Sequence, residues 1–226
     1  MTTYTLGRNI EFDEKSREYP VRALFGSDPK PPRSYTWRCD LHLNQGTTSS
    51  CVGHAWAHEV AGKPIVEDAD SALAMKLYHR AQQIDPWPGE EPAYFGTSIL
   101  AGVKAAEELG YFKEYRWAFS LDDLIMAVGY TGPAVLGLPW YTDMFTPDSK
   151  GFIKPGGVNA GGHAVLCNGV RVPSKSNPLG YFKIHNSWGP EWGKNGTAYI
   201  LFEDMERLLK EQGEACIPVK RTRPLS

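Results

Sequence analysis

Apolar positions fall into two regimes along the chain, recurring at helical spacing up to about Tyr130 and then gathering into short runs divided by Gly, Pro and Asn. From Ser49 or Ser50, either a good N-cap, "CVGHAWAHEVAG" reads as a helix that stops at Gly62 and is barred from continuing by Pro64. Cys51 then sits in the first turn. A second helix begins after Asp70 or Ser71, carries Leu73, Leu77 and Ile84, and is broken by "DPWPG". A third follows "GTS", with Ile99, Val103, Ala106 and Leu109 on one face and Gly110 as its C-cap. Ser120 with Asp123 three positions on predicts a capping box for "LDDLIMAV". Beyond "TGP", the runs "AVLGL", "HAVLCNGVRV", "GYFKIHNSW" and "TAYILF" predict antiparallel strands, and a helix from about Glu203 to Lys210 with a closing strand "ACIPV" completes the pattern.

This order gives an α+β fold with three stretches. Residues 1–33 are polar and end in "GSDPKPPR", an extended connector, so they form an N-terminal arm. Residues 34–130 make a mainly helical lobe that carries Cys51, and residues 131–226 a mainly β lobe. A helical lobe packed against an antiparallel sheet invites an active cleft between them.

The chain has 226 residues, 42% of them hydrophobic, enough for a substantial core. Its 24 basic and 26 acidic residues nearly balance without a like-charge block, so no nucleic-acid or membrane-surface partner is expected. No apolar run approaches the roughly 20 residues that span a bilayer, and the first residues lack the pattern of a secretory signal. Four cysteines, Cys39, Cys51, Cys167 and Cys216, are widely spaced with no CxxC pair; free thiols in a reducing compartment are expected, with one bridge left open. His54 and His58 stand four apart on one helix face, but "HAWAH" is not HExxH and no third ligand is evident, so neither a metal nor another cofactor is expected.

A thiol attacks a carbonyl only as its thiolate, and a helix N-terminus favours that anion by about 0.3–2 kcal/mol. Cys51 has that position. His163 follows a glycine pair at the mouth of a strong strand pattern, and Asn186 in "KIHNSWGPEWGKNG" can take a hydrogen bond from its imidazole while Trp188 shields that bond. Gln45, six positions before Cys51, can supply a side-chain amide to the oxyanion together with the Cys51 N–H. His54, three residues from Cys51, is the rival base.

The segments "NQGTTSSC", "GGHAVLCNGV" and "NSWGPEWGKNGTAYI" resemble the three catalytic segments of the papain-like cysteine peptidases, in the family's order Gln, Cys, His, Asn. The resemblance runs from about Tyr35 to Val219, and the NSWGxxWGxxG pattern is its most specific part. It implies a papain-like fold and thiol-dependent hydrolysis of peptide bonds through an acyl-enzyme on Cys51, with His163, Asn186 and Gln45 in the remaining catalytic roles and a peptide or protein as substrate. It also implies that Gly96 and Thr97 of "YFGTS" pair with substrate backbone, and that Ala164, or less well Leu138, lines a side-chain pocket.

Two departures accompany it. Thr48 stands where the family has half of a common disulfide, which agrees with free thiols, and Val52 replaces the aromatic after the nucleophile, which would alter the packing beside the thiol. The roughly 33 residues before the family-like region are fewer than the usual inhibitory domain, so the arm is expected to pack on the body instead. The implied setting is bacterial or viral, cytoplasmic or virion-associated, with a partner or larger particle left open. A catalytically weakened binding or structural module, and an acyl or amide transferase using the same thiol, are the competing expectations.

Overall fold

A computed structural model describes residues 4–26 and 30–222, so Ser27 to Pro29 of the expected connector lie outside the described residues. After a short helix α1 (Glu14–Arg17) and a 3-10 turn (Val21–Leu24) come strand β1 (Tyr35–Thr36) and helices α2 (Cys51–Val60), α3 (Ser71–Ile84) and α4 (Ile99–Glu108). Strand β2 (Phe112–Ala118), helix α5 (Leu121–Tyr130), strands β3 (Ala134–Tyr141), β4 (Asn159–Arg171), β5 (Tyr181–His185) and β6 (Thr197–Leu201), helix α6 (Phe202–Lys210) and strand β7 (Glu214–Arg221) follow. The strands form one antiparallel sheet in the order β2-β7-β3-β4-β5-β6, with β1 added on β4.

The helices start where their caps predict. Asp70 and Ser98 accept from the N–H groups of Leu73 and Ala101, which closes the first turns of α3 and α4. The box expected at α5 is half made: Ser120 accepts from Asp123 N–H at 3.1 Å, but the Asp123 carboxylate turns to Phe119 N–H and Arg22 instead of reaching back to Ser120. Arg22 lies in the arm, so a helix start has been given over to tethering it. Strand β2 was not expected; its aromatic, alternating "FKEYRWA" pairs with β7, the closing strand, and is bridged at Trp117 by Pro20 of the arm.

Helix α2 is buried along its whole length, because α3, α4 and the sheet enclose it. Side chains alternate across β4, so Ala164 and Leu166 join the cluster around Trp56, Leu77 and Ile99, while Val165 and Cys167 join the one under α5 and α6. Both clusters draw residues from before and after position 130. Arg221 and Glu59, both nearly inaccessible, pair at 2.7 Å and tie the end of β7 to the end of α2.

Along α2 three histidine rings cluster at tilted angles, with His185 of β5 4.8 Å from His42 and 4.4 Å from His58 of α2, centroid to centroid. His58 accepts at Nε2 from Leu43 N–H. Burial pushes His58 well below the usual histidine range and His185 down to about 3, the neighbouring imidazoles adding to both and Lys183 to the latter. The unfolded chain therefore binds more protons than the folded one below about pH 6.5, so this cluster stabilises the fold at neutral pH and that stability is lost as pH falls toward 3. His185→Phe, which keeps an aromatic ring in the cluster, is expected to flatten the decline in urea midpoint between pH 7 and pH 4.

Candidate active site

Cys51 opens α2. The hydroxyl of Ser50, its N-cap residue, makes no cap bond and is shared between Thr48 Oγ1 at 2.6 Å and His54 Nδ1 at 3.0 Å. That contact, with a second from Nδ1 to the Ser50 carbonyl, turns the rival imidazole of His54 toward its own helix start. The Cys51 sulfur instead faces the backbone N–H of Ala164, next to His163 on β4, and that of Val52. His163 donates from Nε2 to Asn186 Oδ1 at 2.8 Å, leaving its buried Nδ1 without a hydrogen-bond partner. Asn186 Oδ1 also accepts from Ser187 N–H, which fixes the amide. Trp188 stacks on the His163 ring at 4.5 Å and Trp140 meets it edge-on at 4.8 Å, so the imidazole–amide bond is screened from water.

Gln45 belongs to the same cleft. Its backbone N–H donates to the Ser187 carbonyl at 2.8 Å and its Oε1 accepts from Ser187 Oγ at 2.7 Å. Ser187 thus stitches two segments far apart in sequence, a role that its position between Asn186 and Trp188 did not reveal. Thr48 donates from Oγ1 to the Gln45 carbonyl, so the residue standing where a cysteine was expected braces this loop. Val52 does not border the cleft as expected: a Cβ on Gly102 of α4 would lie 2.6 Å from its Cγ1, which places the side chain in the helical interior. Leu138 likewise joins the cluster on the other side of the sheet from Ala164.

The cleft is not open. Residues 4–11 of the arm run along it from Trp188 to α4, and the backbone pairing is close enough to require glycine at three places. A Cβ on Gly7 would lie 1.9 Å from the Ser49 carbonyl oxygen, one on Gly96 2.4 Å from the Gly7 oxygen, and one on Gly162 2.2 Å from the Arg8 oxygen. Gly7 and Arg8 N–H donate to the Gly162 carbonyl at 3.1 and 2.9 Å, Thr97 N–H to the Gly7 carbonyl at 3.0 Å, and Asn9 N–H to the Thr97 carbonyl at 2.9 Å. Gln45 Nε2 donates to the Thr5 carbonyl at 3.1 Å as well as to the Thr48 carbonyl. Tyr4 stacks on Trp188 at 4.4 Å, and Ser98 Oγ donates to the Glu11 carboxylate. Arg8 is sunk in a pocket against Glu214. The arm was expected to pack on the body, and it does so across the cleft itself.

This cover changes the chemistry beneath it. Cys51 and His163 are both inaccessible. Burial pushes the Cys51 thiol up to about 12, against the opposing pull of the Ala164, Val52 and Gly7 N–H groups, and pushes His163 down to about 4, against its bond to Asn186. At neutral pH both shifts favour the uncharged forms of the two groups. The arm also presents the sulfur with the N–H of Gly7. Its Arg8 pairs parallel to Thr97.

Gln45, Cys51, Gly96, Thr97, His163, Ala164, Asn186 and Trp188 therefore converge on one cleft, whereas Arg8 and Glu214 went unnoticed in the sequence. A lone arginine in a polar arm and a glutamate after "QG" carry no motif; only the register that sets Glu214 opposite Gly137 brings them to the site. Among the described residues no group of three or more His, Cys, Asp or Glu side chains is arranged to hold a metal, and all four cysteines are free.

A family model described as papain family cysteine protease matches residues 37–216. A cysteine protease of Blomia tropicalis is 20% identical over 86% of this chain and 68% of its own length, and a cathepsin B-like cysteine proteinase of Caenorhabditis elegans is 31% identical over 31% of this chain and 18% of its own. Among solved structures, xylellain, a cysteine protease from Xylella fastidiosa, superposes with a TM-score of 0.63 at 18% identity, covering 96% of both chains. Digestive procathepsin L 3 of Tenebrio molitor gives 0.64 at 15% identity over 95% of this chain and 75% of its own. With the family match spanning most of the sequence over this fold, the chain belongs to the papain family of cysteine proteases, enzymes that hydrolyse peptide bonds through a thiol.

Proposed function

We propose that the chain is a cysteine peptidase held latent by its own arm, with Cys51 as nucleophile, His163 as its acid–base partner, Asn186 as the group that orients His163, and Gln45 with the Cys51 N–H as the oxyanion site. Once the arm leaves, water and the α2 N-terminus favour charge again, and the thiol proton passes to the free Nδ1 of His163. The thiolate adds to a substrate carbonyl carbon, Gln45 holds the resulting oxyanion, and the imidazolium gives its proton to the departing amine. A thioester remains on Cys51. Water, deprotonated by His163, then releases the acid and restores the thiol.

The observation that carries this reading is the Thr5 carbonyl held by Gln45 while the next residues pair with Gly162 and Thr97. It supports Gln45 as a carbonyl-oxygen donor and Gly96, Thr97 and the Ala164 segment as the edge that binds substrate backbone. Trp188, stacked on both His163 and Tyr4, serves as a shield for the imidazole and as a wall for substrate. The stretches 1–33, 34–130 and 131–226 then act as cover, nucleophile-bearing lobe and base-bearing lobe. The substrate is a peptide or protein. No described helix is long and apolar enough to cross a membrane, and the free thiols support a reducing setting such as the cytoplasm or a virion, with neither nucleic acid nor membrane as a partner.

Two predictions follow from the cover. Gly7→Leu, whose side chain would collide with the Ser49 carbonyl, should expel the arm and raise the rate of Cys51 labelling by a thiol-directed epoxide by about tenfold or more, equivalent to about 1.4 kcal/mol. Mass spectrometry of the labelled chain checks it, and Cys51→Ala in that background should abolish both labelling and hydrolysis while the circular dichroism spectrum is retained. For the unaltered chain, alkylation of Cys51 by iodoacetamide should stay slow across pH 5 to 8, because the covered thiol is neutral throughout that range. In Gly7→Leu the same profile should instead be fast and follow the ionisation of the exposed thiol and imidazole.

A further inference from the structure

Ser50 stands at the N-cap of α2 and does not cap it. The other α-helices with Asp or Ser at that position spend the side chain on their own first turn: Asp13 accepts from Lys15 N–H, Asp70 from Leu73, Ser98 from Ala101 and Ser120 from Asp123. Ser50 differs in backbone as well, with φ −91° and ψ 22° where those four are extended.

A hydrogen-bond chain holds the Ser50 hydroxyl away from the helix, and its acceptors fix its direction. His54 Nδ1 lies 3.0 Å from both the Ser50 carbonyl oxygen and Ser50 Oγ. A carbonyl only accepts, so Nδ1 carries the hydrogen and shares it between the two oxygens. Ser50 Oγ is left to donate to Thr48 Oγ1 at 2.6 Å, and Thr48 Oγ1 donates to the Gln45 carbonyl at 2.7 Å. His54 and Ser50 are both buried, so the chain is shielded from water.

An N-cap hydroxyl accepts from the N–H two or three residues on, which for Ser50 means Val52 or Gly53. The Val52 N–H faces the Cys51 sulfur instead. A cap bond would turn a first-turn donor onto a neutral oxygen and draw down the positive end of the helix, which is what favours an anion there. The helix gives up the stabilisation of a cap, and its first residue keeps the field.

We propose that His54 is a positioning residue for the thiolate: by holding the Ser50 hydroxyl toward Thr48, it keeps the start of α2 uncapped and its N–H groups available to the Cys51 sulfur. The inference rests on the latent-peptidase reading for the role of Cys51. It gives the rival imidazole a task other than proton transfer, exerted through Ser50 and not on the sulfur itself.

The test follows alkylation of Cys51 by iodoacetamide against pH in the full-length chain, both unaltered and carrying Gly7→Leu, with peptide mapping by mass spectrometry. In Gly7→Leu, His54→Phe removes the donor that holds Ser50, and labelling on the rising limb of the profile is expected to be about threefold to tenfold slower, with the plateau unchanged. Adding Ser50→Ala, which leaves no hydroxyl to cap the helix, should restore the limb. In the chain with Gly7 intact, labelling is slow throughout, and the same ratios are expected at each pH from 5 to 8. His54→Ala carries the same expectation should the apolar ring not be accommodated. A limb that stays in place when His54 is replaced, a loss that Ser50→Ala does not reverse, or a fall in the plateau alone, as general loosening would give, overturns the proposal. Peptide hydrolysis is followed in parallel. Slowed and restored labelling without hydrolysis would count against the peptidase reading and uphold the role of His54, and hydrolysis with an unmoved limb would do the reverse.

Discussion

Exclusion of water from the Cys51–His163 pair governs the state in which this molecule exists. On the proposed reading a thiol at a helix start and an imidazole held by an amide exchange a proton, yet desolvation drives each toward its neutral form. The agent is the chain's own backbone, seated by close contacts at Gly7, Gly96 and Gly162 and anchored by Arg8 on Glu214. Farther along the arm, Ser16 accepts from Trp117 Nε1 at 2.8 Å and Trp117 N–H donates to the Tyr19 carbonyl at 2.9 Å, so the cover is fastened on both sides of the pocket. Each neutral bond contributes only about 1 kcal/mol net, and the strength of the seat lies in their number and in the buried charge pair.

The rest of the fold supplies rigidity to that arrangement. Strand β4 carries Gly162, His163 and Ala164 in consecutive positions, so the arm's acceptor, the proposed base and the donor to the sulfur are fixed relative to one another by one sheet register. Ser187 holds the Gln45 loop against the segment that carries Asn186, which joins the proposed oxyanion donor to the residue bonded to His163. Helix α2, enclosed on all sides, leaves Cys51 no freedom beyond its own rotamer. These constraints pre-organise the site, and uncovering it demands little rearrangement beyond the departure of the arm.

Much of this was legible in the sequence, and for identifiable reasons. The caps at Asp70 and Ser98, the strand runs after Thr131 and the helix near Glu203 are local signals, and they place α3, α4, α6 and the main strands within a few residues. Gln45, His163 and Asn186 sit in segments whose residue order is specific, and the structure joins those segments to one another through Asn186 and Ser187, with Ala164, next to His163, meeting the Cys51 sulfur. What local reading missed is long-range. Strand β2 is an edge element whose partner lies at the other end of the chain, and the Asp123 carboxylate was diverted by an arginine from the arm. Val52 pointed inward because Gly102 left a hollow for it, which no residue near Cys51 announces. The path of the arm could not be read at all, since Gly7 and Arg8 acquire meaning only against Ser49, Gly162 and Glu214.

The direction of that arm has a further bearing. The strap crosses the cleft with Gly7 N–H toward the sulfur and Arg8 running parallel to Thr97, so it is held by backbone bonds on both sides of the cleft. Being tethered to the same molecule, it stays at high local concentration after it has been pushed aside. On the latent-peptidase reading, anything that displaces it must compete with that local concentration, and the cover returns once the competitor has gone.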